Sequence, residues 1–167
     1  YFEGDSALGK PLSAVQLYST RSYQAGDLEG VVFSGVDMGG WDFRGQNLTR
    51  ARLSNSSLQN VDFTGADLSH ASLAGSVLLL TDFTGAVISG ASFNFATGLS
   101  ASQIYSTADY QAGDLSGINF GKITIDGWDF SGQNLTAANF QGTRLSNTVF
   151  TQANLAQADF ANYSLGT

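Results

Sequence analysis

The chain contains no cysteine, one histidine and one proline, and only 7 of its 167 residues are lysine or arginine. Without cysteine there is no disulfide framework, no thiolate metal site and no cysteine nucleophile. A single histidine, His70, cannot supply a histidine-based metal site or a triad by itself. Against 14 acidic residues the few basic ones leave a net charge of −7, the wrong sign for sequence-independent nucleic-acid binding. The longest strictly apolar run, Val77 to Leu80, is far too short to span a bilayer, so membrane insertion is not expected. There is no signal-peptide pattern, and a chain beginning at Tyr1 rather than Met reads as a processed form or an excised piece.

What the chain has instead is period. From Leu28 to Phe93, and again from Leu115 to Leu165, a large apolar residue recurs every five positions, 25 times in all. Ten of the 12 phenylalanines fall on this frame. Five is neither the helical 3.6 nor the strand period of two. It fits a very short extended stretch followed by a sharp bend. Two residues before each central position the chain often places a small residue (Ala51, Ser56, Ala66, Ala71), which strand alternation points to the same inner side. Two residues after it comes glycine, as at 30, 45 and 65, or asparagine, as at 55 and 147. The third residue of a type II turn needs positive φ, which these two tolerate best. The chain therefore turns once per five residues and keeps one side inward.

Units such as Ala66-Asp67-Leu68-Ser69-His70 and Ala158-Asp159-Phe160-Ala161-Asn162 resemble the A(D/N)LXX motif of the pentapeptide-repeat family, over residues 21–93 and 108–167. The resemblance implies an all-β fold, a right-handed quadrilateral parallel β-helix with four pentapeptides per coil. Coils stacked at the usual strand spacing, about 4.8 Å, would make a rod of about six coils and roughly 30 Å.

A longer repeat lies over the short one. Leu12-Ser13-Ala14-Val15-Gln16-Leu17-Tyr18-Ser19-Thr20 returns 87 residues later as Leu99-Ser100-Ala101-Ser102-Gln103-Ile104-Tyr105-Ser106-Thr107, and Gly40-Trp41-Asp42-Phe43 returns as Gly127-Trp128-Asp129-Phe130. The expected organisation is a leader at 1–11, a first module at 12–98 and a second at 99–167. Because 87 is not a multiple of five, the joining segment at about 94–107 must break the coil frame and divide the rod. Ser13 with Gln16, and Ser100 with Gln103, read as capping boxes, so short helical turns are predicted at about 13–19 and 100–106. Pro11 suits a helix boundary. Tyr23 and Tyr110, five residues before Leu28 and Leu115, read as the first rung of each module.

The candidate sites are few. Asp42, Asp62 and Asp82 precede one phenylalanine column and should stack on an outer wall. As a carboxylate column they could bind a hard cation; as ordinary turn-forming aspartates they would bond their own backbone. The second reading is favoured, because Val149 follows Asp129 in the other module. Trp41 and Trp128 could offer sugar-stacking platforms or fill the first coil beneath a helical cap; their equivalence favours filling. No serine or threonine has an identifiable activating base, so no enzyme and no cofactor is expected.

The function expected is a non-catalytic scaffold: a rigid acidic rod whose partners are proteins, neighbouring modules or other copies of itself. The C-terminal coil looks uncovered, and an open β-helix end is an association surface, so end-to-end assembly into fibres is part of the expectation. The module pattern is similar to that of large secreted or surface bacterial proteins, which implies an extracellular location. Fluoroquinolone-resistance pentapeptide proteins resemble the chain in their repeat, and that implies an alternative, a DNA-mimic inhibitor of gyrase. Arg44, Arg50, Arg52, Lys122 and Arg144 interrupt the acidic walls and weaken it. A carbohydrate-binding cleft near Trp128 and Tyr105 is a further alternative.

Overall fold

A computed structural model describes residues 12–166. The predicted leader at 1–11, and Pro11 with it, lie outside the described residues.

The backbone winds in coils of 20 residues, each residue of a wall bridging in parallel to the one 20 positions on, as in Asp42 to Asp62 to Asp82. The bridges are single-residue contacts, because five residues leave room for only one extended residue on either side of a central position before the next turn. Each turn closes with a bond such as Val31 N–H to Leu28 O at 3.1 Å. Its third residue has positive φ: Gly65 at 65°, Asn55 at 58°, and even Leu80 at 59°. Leu68, Phe83 and Phe140 are fully buried, as are Ala51, Ala66 and Ala71, so both inward positions of the unit face the bore. Phenylalanines stack along it, with Phe43 to Phe63 at 5.4 Å and Phe63 to Phe83 at 5.5 Å between ring centroids.

Among the described residues four short helices stand outside this pattern, two before the first coil and two within the rod: α1 (Ala14–Tyr18), α2 (Arg21–Gln24), α3 (Ala101–Tyr105) and α4 (Ala108–Ala112). Both capping boxes form, with Ser13 N–H donating to Gln16 Oε1 at 2.9 Å and Ser100 N–H to Gln103 Oε1 at 2.7 Å. The second helix of each pair went unseen in the sequence. Its start is set by Thr20 and Thr107, whose hydroxyls accept from the amides of Tyr23 and Tyr110. Tyr23 and Tyr110 therefore sit in α2 and α4 and are not rungs of the coil.

The insertion does not divide the rod. Ser92 bridges to Asn119 across a gap of 27 residues instead of 20. One wall consequently runs unbroken through Val32, Arg52, Ser72, Ser92, Asn119, Asn139 and Asp159. The ring of Phe93 stacks on Phe120 at 5.9 Å, carrying the core across the same level. The regular frame persists to Thr97, which bridges Val77, and is regained by Asp114, which bridges Asn134. The α3–α4 segment is bound into the coil beneath it, with Gly85 N–H donating to Ser106 O at 2.8 Å and Ala108 N–H to Ala86 O at 2.9 Å.

Candidate interaction surfaces

Among the described residues most acidic side chains lie on the outer walls, and most of these are tied to their own turns. Asp42, Asp62 and Asp82 lie in one column, where their Oδ1 atoms accept the amides of Arg44, Thr64 and Thr84 at 3.0, 2.8 and 2.8 Å. The same closure recurs at Asp129 with Ser131 and at Asp159 with Ala161. An aspartate here acts as a local turn clamp. The space between Asp42 and Asp62 is taken by the Arg44 guanidinium, 2.6 Å from Asp42 Oδ2 and 3.5 Å from Asp62 Oδ2. Hydrogen bonding to Arg44 holds the Asp42 carboxyl below its ordinary pKa, and the Thr84 hydroxyl and amide do the same for Asp82. Among the described residues no group of three His, Cys, Asp or Glu is placed to hold a metal ion.

Two more basic residues neutralise wall carboxylates: Arg50 meets Glu29 at 2.9 Å and Arg144 meets Asp126 at 2.7 Å. Lys122 lies 4.6 Å from the ring centre of Phe95, an exposed aromatic at a turn. His70 occupies an exposed turn with φ of 58°.

Trp41 and Trp128 are buried, each in contact with two phenylalanine rings: Trp41 with Phe33 and Phe43, Trp128 with Phe120 and Phe130. Neither face is open for a sugar to stack on. The Tyr105 hydroxyl is engaged by Asp129, and a cavity of about 340 Å³ at the joint lies elsewhere, between Ala96–Leu99 and Lys122–Thr124.

The ends of the rod differ. Above the first coil, Tyr18 and Tyr23 pack with ring centroids 4.6 Å apart and bring both hydroxyls to the backbone of Asp42. Tyr105 and Tyr110 do the same at Asp129. Burial, with Asp42 nearby, raises the Tyr23 pKa, and burial raises that of Tyr110, so both phenols remain protonated donors. Gln46 and Gln133 reinforce the pairs by donating to Tyr23 O and Tyr110 O. At the other end Leu155 and Leu165 are exposed, and the amides of Phe150, Leu155 and Phe160 have no partner among the described residues. Sequence reasoning missed the tyrosine pairs, although the repeated Tyr-Ser-Thr-(two residues)-Tyr spacing in both copies was their signal.

The family model for pentapeptide repeats matches residues 27–65, 62–96 and 114–152, with eight copies of the repeat. None of the curated proteins matches the chain. Among solved structures, a trypsin-treated variant of QnrB1, a plasmid-mediated fluoroquinolone resistance protein, is 21% identical, with 83% of this chain and 85% of that one covered and a TM-score of 0.40. Rfr23, a pentapeptide repeat protein from the cyanobacterium Cyanothece 51142, is 17% identical over 89% and 91%, with a TM-score of 0.34. HetL, a pentapeptide repeat protein involved in heterocyst differentiation regulation from the cyanobacterium Nostoc sp. strain PCC 7120, is 20% identical over 83% and 92%, with a TM-score of 0.33.

Proposed function

The chain belongs to the pentapeptide-repeat family, whose members form a right-handed quadrilateral β-helix, and we propose that it serves as a non-catalytic scaffold. In this reading it is an all-β rod of two tandem modules, 12–98 and 99–167, held in line by the helical insertion. It works by presenting its walls and ends to other proteins. The observation that carries the reading is the unbroken wall from Val32 to Asp159, with Phe93 stacked on Phe120 beneath it. An insertion that left the modules hinged would serve a linker; one bound by backbone hydrogen bonds on both sides serves a stiff spacer. The wall carboxylates support this role, because among the described residues most of them are engaged in their own turns or in short ion pairs.

The location we propose is extracellular and bacterial, from the similarity of the Gln-Leu-Tyr-Ser-Thr and Trp-Asp-Phe modules to those of secreted and surface proteins. End-to-end association is part of the same reading, supported by the exposed Leu155 and Leu165.

Spin labels on cysteines placed at Ser69 and Gln157, outward turn positions in the two modules, test the stiffness. A single narrow distance distribution is expected. A broad or two-peaked one would show a hinge and remove the scaffold reading.

A further inference from the structure

The rod contains its own example of how one coil end receives the next. Inside the molecule the coil bearing Leu78, Phe83, Ile88 and Phe93 is followed by the α3–α4 unit. Gly85 N–H donates to Ser106 O at 2.8 Å, Ala108 N–H to Ala86 O at 2.9 Å, Phe93 N–H to Asn119 O at 2.8 Å, and Asn119 N–H to Ala91 O at 3.0 Å. The Gln103 side chain adds two more bonds, donating from Nε2 to Leu78 O and Thr81 O at 2.8 Å each. This joint has two different faces, and the chain carries a second copy of each.

The α1–α2 unit repeats α3–α4 at an offset of 87, and the last coil, with Leu145, Phe150, Leu155 and Phe160, repeats the sealed coil at an offset of 67. Transferring the bonds pairs Gln152 N–H with Ser19 O, Arg21 N–H with Ala153 O, Phe160 N–H with Val32 O, and Val32 N–H with Ala158 O. None of these eight groups has a partner among the described residues. Gln16, exposed and equivalent to Gln103, has no partner for its Nε2 among the described residues, and the transfer pairs it with Leu145 O and Thr148 O. A cavity of about 350 Å³ lies at this end, lined in part by Leu17, Leu28 and Val31.

We propose that the α1–α2 face of one copy receives the last coil of a second copy, in the register of the internal joint. The proposal rests on the scaffold reading and specifies its partner. The two surfaces are different, so the contact is head-to-tail and does not close; copies add indefinitely into a filament. The wall then continues from Asp159 of one copy to Val32 of the next, as it already continues from Ser92 to Asn119.

The native chain has no cysteine, which makes the register testable by disulfide formation. Facing wall residues of a parallel bridge lie within reach of a disulfide. The full chain carrying both Val32→Cys and Asp159→Cys is oxidised with copper phenanthroline and run without reductant. The double variant is expected to give a ladder of covalent multimers. An equal mixture of the two single variants should stop at dimers, and Asp159→Cys alone should remain monomeric. A second pair, Ser34→Cys with Ala161→Cys, reproduces the approach of Gly121 to Asn94 and guards against a misfolded first variant. Dimers from Asp159→Cys alone would show tail-to-tail pairing and overturn the register. A wild-type chain that stays monomeric in sedimentation at millimolar concentration would overturn the joint altogether. In either case a narrow Ser69–Gln157 label distance leaves the scaffold reading standing, so the two failures are distinct.

Discussion

The hydroxyl of Tyr18 accepts the amide proton of Asp42 at 2.6 Å, a position that in later coils belongs to a backbone carbonyl. Asp62 N–H donates to Trp41 O at 3.0 Å, and Asp82 N–H to Val61 O at 2.9 Å, each from the coil before. Among the described residues no coil precedes Asp42 on that wall. Tyr18 supplies the missing acceptor and Tyr23, donating to Asp42 O at 2.8 Å, the missing donor. A sheet edge left open costs stability and invites pairing, and two phenols close it without another rung.

Removing one phenol therefore leaves a half-buried backbone group unpaired. Tyr18→Phe and Tyr23→Phe are each expected to lower unfolding free energy by about 1 kcal/mol, the usual loss for an unmade hydrogen bond of this kind. Tyr105→Phe should cost less, because Asp129 is exposed and water can take the place of the lost acceptor, and urea denaturation compares the four chains. A double Tyr18→Phe, Tyr23→Phe variant should depart from additivity, because both act on one residue.

Leu68 is fully buried and Ser69, one residue on, faces outward at the turn. Leu68→Asp puts an unpaired carboxylate between stacked coils and should cost more than about 3 kcal/mol, enough to unfold the first module. Ser69→Asp should fall within about 0.5 kcal/mol of the native chain. Circular dichroism melts of the pair check the inward assignment; equal losses would refute it.

Leu80 is 70% exposed and holds φ at 59°, in the left-handed region where a side chain with a Cβ is strained. Leu80→Gly should raise stability by up to about 1 kcal/mol, as relief of that strain outweighs the entropy of glycine. Gly65→Ala, at a turn with φ of 65°, should move stability the other way by a comparable amount. Thermal melts of the two variants against the native chain read both signs.

Asp109 accepts the Ile88 amide at the internal joint, and burial pushes its carboxyl pKa up. A carboxyl whose folded pKa lies above its unfolded value contributes stability below the unfolded pKa, and that contribution is lost as pH rises through the folded one. Asp109→Asn keeps an acceptor and removes the charge, so its melting temperature at pH 7 should exceed that of the native chain, with the gap closing below about pH 4. Asp42 and Asp82 have the opposite sign. Their folded pKa values are lowered, so their contribution is present above the ordinary carboxylate range and lost as pH falls through the folded values.

Arg44 between Asp42 and Asp62, Arg50 on Glu29 and Arg144 on Asp126 break the acidic walls into paired patches. A rod that imitates a duplex needs closely spaced uncompensated negative charge. The purified protein at high micromolar concentration is expected to leave gyrase supercoiling unchanged; inhibition in that assay would restore the DNA-mimic reading.

The coil was legible because its signal is local and repeated. Leu, Phe, Ile or Met at every fifth residue, with Gly or Asn at the turn, states the inward side and the bend without reference to any distant contact. Capping boxes at Ser13 and Ser100 are equally local, and they marked α1 and α3 to within a residue. The second helices were not marked, since Thr20 and Thr107 lack the reciprocal Glu or Gln three residues on. The aspartate column could be placed on a wall but its use could not be read, because Arg44 reaches Asp62 only once coils are stacked.

By itself the sequence determined the periodic coil, its inward column and the duplication by 87 residues, all of which follow from the spacing of neighbours along the chain. Whether the insertion cut the rod or was built into it was decided only in three dimensions. A frame shift of seven residues says that the coil is interrupted. It does not say that three walls can be interrupted while the fourth, from Ser92 to Asn119, closes over the gap by bonds between residues 27 apart. The tyrosine hydroxyls are the same kind of fact: their partners lie 19 and 24 residues away, and only the turn of the coil brings them together.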